Sequence, residues 1–325
     1  MADDNENTAA IYPPKYQAEA PVASSSLLRS ITSLFIYLGL GYVLTRRIDI
    51  LVVIIVIIIF HELGHFLAMK YYRYADVSIF FIPLLGALVS GSKREVSQRQ
   101  NAVILLAGPL PGILLGLALY FIDKNAGGIH WGNISLNFIS LLFIWLNIIN
   151  LLPVYPLDGG QLLNRVFLDE EGFASNIFLT ISAVAVVWLS VHTKFYILLI
   201  IPAMLIFRFL SSRKYLNLEK KLLEAGINLD QAYEELSDED YWKIRKMIVQ
   251  HNPTFSKVNP GPPYFYDSEE ERLRQEVEDA LQRNLLIDIT IREKIIVFLI
   301  WAFAVASPWL LNIEGIFTEF FRRFI

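Results

Sequence analysis

Apolar residues in this chain come in long blocks, not in the one-sided stripes of soluble helices. Stretches long enough to cross a hydrocarbon layer about 30 Å thick recur near 27–44, 49–70, 101–122, 134–152 and 291–312. The pair 175–192 and 195–211, separated only by Thr193 and Lys194, reads as a tight helical hairpin. Ser78 to Gly91 is also apolar but too short to span as a helix, and Pro83, Gly86 and Gly91 interrupt it. Non-helical backbone at membrane depth needs protein or a wet cavity beside it, so this stretch reads as re-entrant, with a simple interfacial loop weighing equally. An exposed edge there could pair with an extended peptide. The pattern predicts an all-α polytopic membrane protein of about six to seven transmembrane helices, with a re-entrant loop and a small helical cytoplasmic segment.

Polar composition sets the boundaries. Residues 1–26 carry Pro13, Pro14, Pro21 and a serine run with no basic n-region, which reads as a disordered tail and not a signal peptide. Residues 27–212 form the expected membrane core. From 213 to 290 the chain turns charged and soluble, with Ser237-Asp238-Glu239-Asp240 as a helix start and the proline-rich 252–263 as a break. A small cytoplasmic helical appendage is the leading reading, and a regulatory or partner-docking module the other. A last span and the tail FTEFFRRFI, read as a short interfacial helix, complete 291–325. Basic residues gather in 70–99 and 208–221, which places both loops in the cytoplasm; Arg46 and Arg47 dissent.

Composition agrees with the pattern. The chain is 54% hydrophobic with a mean hydropathy of +0.45, too apolar for an ordinary soluble domain. It contains no cysteine, which leaves His, Asp and Glu as possible metal ligands. A net charge of −4 without a basic patch excludes nucleic acid as a partner.

Against this background one cluster stands out. His61-Glu62-Leu63-Gly64-His65 lies inside the apolar run that begins at Ile50 and ends at Met69. A charged side chain near mid-membrane costs about 2.5–3.5 kcal/mol on insertion scales, so the cluster calls for a compensating partner. Helix positions four apart differ by about 40° in azimuth and about 6 Å in height, so both imidazoles can reach one ion with the glutamate beside it. HExxH is the spacing of a two-histidine zinc site with a general-base carboxylate. His130, His192 and His251 read as solvated or interfacial. Asp158 is the better third ligand: it follows Asn150-Leu-Leu-Pro153-Val-Tyr-Pro156-Leu157 and precedes Gly159-Gly160, so prolines end one helix and glycines free the turn that aims the carboxylate.

Together these two motifs resemble the site-2 protease family of intramembrane zinc metalloproteases, whose HExxH and NxxPxxPLDG sequences lie on different transmembrane segments; Ala107-Gly108-Pro109-Leu110 matches a further family feature. The resemblance covers about 48–165 and does not extend to 213–290. It implies a zinc ion on His61, His65 and Asp158, Glu62 as the base that activates water, Asn150 near substrate or transition state, and the loop around Gly86 as a substrate-facing element. The expected activity is cleavage of peptide bonds within or near transmembrane segments of a membrane-protein or peptide substrate. The expected location is a prokaryotic cell membrane, multi-pass in the lipid bilayer, with the active site toward the cytoplasm. Lys70 lies about 8 Å of helix rise beyond His65 and Asp49 about 18 Å before His61, which sets the ion nearer the cytoplasmic end. A transmembrane zinc transporter and a non-catalytic membrane scaffold are the alternatives, and the oligomeric state stays open.

Overall fold

Aliphatic residues without a helix breaker carry α2 (Ile48–Tyr71) through the HExxH motif in one piece. Before it comes α1 (Ser24–Thr45), and the turn between them uses Arg46 in the left-handed region, φ 54°. The computed structural model describes residues 12–17, 24–82, 86–93, 96–168, 172–194, 196–229, 231–281 and 285–313. The first eleven residues, most of the proline- and serine-rich stretch before α1, and the tail from 314 onward, including the expected interfacial helix, lie outside the described residues.

After α2 the chain forms a β-hairpin, so the interrupted stretch is extended backbone and a few strands join an otherwise mostly helical chain. Strands β1 (Ala75–Ile82) and β2 (Gly86–Ser92) pair antiparallel, with Ile79 opposite Val89 and Ile82 opposite Gly86. The physical reason is in Val77, Ile79, Phe80, Phe81 and Val89: β-branched and aromatic residues favour extended backbone, and two paired strands satisfy amides that a broken helix would leave open. One flank of the hairpin rests on α1, where the Phe81 amide donates to Ser33 Oγ at 3.1 Å.

A two-residue strand β3 (Val96–Ser97) leads into α3 (Gln98–Ala107), capped by Ser97, and then α4 (Pro109–Ala126). Pro109 lacks an amide proton, so the ladder breaks at Gly108 and the two helices make one long apolar rod with a joint. A tight turn through β4 (His130–Trp131) and β5 (Ile134–Ser135) reverses the chain into α5 (Leu136–Asn150), which packs along α4 and α2. Ile144, Leu141, Phe138 and Leu142 on α5 are at most 1% exposed, so this short helix is the core of the unit. Pro153 and Pro156 end it, and α6 (Asp158–Leu162) begins at the aspartate and passes into a π-helical turn, 163–167. The remaining elements are α7 (Phe173–Thr193), α8 (Ile200–Glu224), α9 (Asp238–His251), α10 (Glu270–Ala280), β6 (Leu285–Leu286) and α11 (Ile291–Leu310).

Among the described residues four helical stretches are long and apolar enough to cross a membrane: α2, the α3–α4 rod, α7 and α11. The expected six to seven includes three shorter apolar helices, Ile31–Val43, Leu136–Asn150 and Tyr196–Ile206, and α5 at 15 residues rises only about 22 Å. Val56, Leu63 and Leu67 on α2, Ile181, Val184 and Trp188 on α7 and Ile295, Leu299 and Phe303 on α11 are exposed, as a lipid-facing surface requires.

Two compact units divide the described residues: 24–202 with 285–313, and 12–17 with 203–281. Within the first, β3 pairs parallel with β6, and Asp288 accepts from Ser97 Oγ at 2.6 Å and from the Arg99 amide at 3.2 Å. The second has its own core around Leu222, Ile244, Ile248, Leu273 and Val277. Its centre holds Arg245 and Glu270, whose side chains are 2% and 1% exposed and bonded at 2.7 Å and 2.8 Å. Residues 12–17 pack on this unit, so part of the stretch read as a tail is ordered; Tyr12 and Tyr16 find aromatic partners there, which composition alone does not reveal.

Candidate metal centre

Three side chains from two helices converge on one point. His61 and His65 stand one turn apart on α2, and Asp158, the first residue of α6, comes back to meet them. Asp158 Oδ2 lies 3.1 Å from His61 Nε2 and 3.3 Å from His65 Nε2, and the two Nε2 atoms are 3.1 Å apart. The near-equilateral triangle comes close to the face of a tetrahedral zinc site, whose ligand atoms lie about 3.3–3.4 Å apart.

The tautomers sharpen this. His65 Nδ1 lies 2.7 Å from the Ile104 carbonyl, an obligate acceptor, so that nitrogen carries the proton. His61 Nδ1 lies 2.8 Å from Asn147 Oδ1, and the Asn147 amide nitrogen already donates to the Phe143 carbonyl at 2.7 Å, which fixes the oxygen toward the histidine. With both Nδ1 atoms protonated in the neutral rings, both Nε2 atoms present lone pairs. They face a carboxylate oxygen that is buried and has no hydrogen-bond donor. Three acceptors around one point repel one another, and a cation is what satisfies all of them. The donor set of two imidazoles and a carboxylate suits zinc.

Close backbone contact holds the arrangement. A side chain at Gly64 would strike the Ala107 carbonyl, and one at Gly108 would strike the His65 ring, so α2 and the α3–α4 joint meet without an intervening Cβ. Gly112 leaves the space that Asn147 fills. At the other end, Gly159 lies against the Leu151 carbonyl, which lets α6 fold back beneath α5 and carry Asp158 inward.

Beside the triangle is a cavity of about 60 Å³ lined by Ile57, Ile58, His61, Glu62, Ala87, Leu146, Asn147 and Asn150. Glu62 is 6% exposed. Asn150 anchors its amide nitrogen on the Leu146 carbonyl at 3.1 Å. Ala87 brings β2 to the rim, one residue beyond Gly86, which opens that strand. The residues read from sequence therefore gather in one place, with His61, His65 and Asp158 on one side and Glu62, Asn150 and Ala87, the neighbour of Gly86, around the cavity. His130 is exposed in β4, His192 stacks on Trp188, and His251 sits 2.6 Å from Lys221 Nζ; none joins the centre. Sequence reasoning missed Asn147. Its signal was an amide inside a nearly continuous apolar run, the same signal that drew attention to His61.

Residues 49–128 match the peptidase family M50. Over those residues the chain is similar to the M50 peptidases. Stage IV sporulation protein FB of Bacillus subtilis is 29% identical over 181 residues, covering 55% of this chain and 61% of that one. A zinc metalloprotease of Methanocaldococcus jannaschii is 29% identical over 126 residues, 38% of this chain and 35% of that protein. The chain thus spans less than two thirds of the length of either relative. The solved site-2 protease from Methanocaldococcus jannaschii aligns with a TM-score of 0.40 and 22% identity, over 55% of this chain and 85% of that one. The M50 match takes in α2 and the α3–α4 rod, and with them both histidines, Glu62, Gly64 and Gly108.

Proposed function

We propose that this protein is an intramembrane zinc metalloprotease that hydrolyses peptide bonds within or near transmembrane segments of membrane-protein substrates. The carrying observation is the convergence of three buried lone-pair donors, His61 Nε2, His65 Nε2 and Asp158 Oδ2, beside an acid on the same helix. The M50 match and a zinc metalloprotease among the relatives support the reaction class.

A zinc ion held by these three residues would supply Lewis acidity toward a substrate carbonyl and acidify a water molecule. Glu62 takes the proton from that water and returns it to the leaving amine, a role its place at the cavity allows. Asn147 and the Ile104 carbonyl keep both imidazoles in the tautomer that leaves Nε2 free. Asn150, steadied on the Leu146 carbonyl, presents its remaining amide groups to the substrate backbone. The β2 segment from Gly86 offers an extended substrate an edge to pair with, and pairing exposes a carbonyl that an intact helix would keep in its own ladder. The basic residues in 70–99 and 208–221 support a cavity toward the cytoplasm, and the bacterial and archaeal relatives support a prokaryotic cell membrane.

Metal analysis of purified protein, together with cleavage of single-span substrates by the wild type and Glu62→Gln, tests this. About one zinc per chain in both proteins is expected, with cleavage by Glu62→Gln reduced 10²–10⁴-fold, on the order a general base contributes. Zinc flux across vesicles that persists in Glu62→Gln without any cleavage would favour a transporter instead.

A further inference from the structure

The second unit carries a seated peptide. Residues 12–16, Tyr-Pro-Pro-Lys-Tyr, lie across it more than 200 positions away in sequence, and the unit's side chains read their backbone one residue after another. Trp242 Nε1 donates to the Pro13 carbonyl at 2.8 Å, Tyr266 Oη to that of Pro14 at 2.5 Å, and Tyr233 Oη to that of Tyr16 at 2.6 Å. The Lys15 amide, the proton that the prolines before it lack, donates to Asp238 Oδ1 at 2.8 Å. The lysine side chain reaches furthest. Its Nζ lies 2.8, 2.7 and 2.6 Å from the carbonyls of Tyr233, Glu234 and Leu236, which uses all three ammonium protons. The planar fork of arginine cannot reproduce that tripod. The flanking tyrosines add ring contacts, Tyr12 on Tyr264 and Tyr16 on Tyr266.

The segment nevertheless sits outside the core. None of residues 12–17 is fully buried, and Pro14 and Gln17 are exposed, whereas Leu222, Ile244, Leu273 and Val277 close the interior among themselves. A proline-rich stretch is extended before it binds and loses little entropy on docking, which is how proline-rich ligands meet aromatic grooves elsewhere. We propose that the unit formed by 203–281 is a peptide-recognition module whose ligand is an extended Pro-Pro-Lys flanked by tyrosines, that residues 12–16 occupy it in cis, and that a partner segment of the same chemistry exchanges with them. Backbone carbonyls fix the register, the carbonyl tripod selects lysine, and the aromatic rings select the flanks.

The test uses the full chain in detergent and a fluorescein-labelled peptide of residues 11–17 followed by anisotropy. A chain whose residues 12–16 are replaced by glycine and serine should bind the peptide at least tenfold more tightly than the wild type, because the tethered segment competes at a millimolar effective concentration. Lys15→Ala in the otherwise intact chain should fall between the two. Replacing the peptide's lysine by arginine should weaken binding at least tenfold. Equal affinity of all three chains for the peptide, or indifference to the lysine, overturns the proposal. So does loss of protease resistance of 203–281 in the replaced chain, which would make the segment a piece of the fold. Peptide-independent dimers that disappear on replacement would identify the occupant as a second copy and overturn the partner reading.

Discussion

Both units bury polar groups, and they do so in opposite ways. In the helical unit Glu270 takes two bonds from Arg245, one from Tyr241 Oη and one from the Asp267 amide, while Arg245 also serves the Asn259 carbonyl and stacks over Trp242. Donors and acceptors match, burial pushes the Tyr241 hydroxyl well above its ordinary pKa, and the Arg245–Glu270 network leaves no charge for an ion to balance. In the membrane unit His61, His65 and Asp158 bring only acceptors to their meeting point. A balanced network holds a fold together, whereas one that is short of positive charge marks where an ion belongs.

The largest effect that would break this contrast comes from Asp158→Ala. It should leave well under one zinc per chain, measured by elemental analysis, and abolish cleavage; full zinc occupancy would remove Asp158 from the centre. Arg245→Ala should do the reverse. Stranding Glu270 costs about 3–5 kcal/mol of stability in the helical unit, read from denaturant-dependent proteolysis of that unit, with zinc content unchanged. Loss of zinc in Arg245→Ala would show that the two networks are one.

Asn147→Ala sharpens the comparison from inside the metal unit. It removes no ligand, so the expected outcome is a 10–100-fold loss of zinc affinity in a chelator competition with the protein still folded. That residue also shows how far the sequence could be read. The meeting of His61, His65 and Asp158 was legible because HExxH is local and because Pro153, Pro156, Gly159 and Gly160 announce where a helix must stop and turn. Asn147 was not, since its role depends on α5 meeting α2, 86 positions apart in sequence. The hairpin 75–92 was legible in part: Pro83, Gly86 and Gly91 exclude a spanning helix and leave an extended edge, whereas in an apolar run alternation between two faces leaves no trace of the partner strand or its register. The docked segment 12–17 was hidden because proline-rich composition reads the same whether or not a groove is waiting for it.

The smallest expected effect concerns the contact between β3 and β6. Burial works to raise the Asp288 pKa, but the Ser97 hydroxyl and the Arg99 amide outweigh it and hold the carboxylate below its ordinary value. Its contribution is therefore present above the unfolded value near 4 and is lost as pH falls through the lower folded one. Asp288 is exposed, so Asp288→Asn should cost no more than about 1 kcal/mol near neutrality. Melting curves of the two proteins should converge as the pH drops below 4, and a gap that persists at low pH would show that charge is not what the contact uses.

The same contact dictates an order of events during synthesis. Ser97 waits for a partner 191 positions further on, while His65 waits only for Asp158. The 130 positions from Asp158 to Asp288 take roughly 6–26 s to translate at common elongation rates. A nascent chain thus has His61, His65 and Asp158 in hand well before the strand that closes off β3 exists, so the acceptor cluster assembles first.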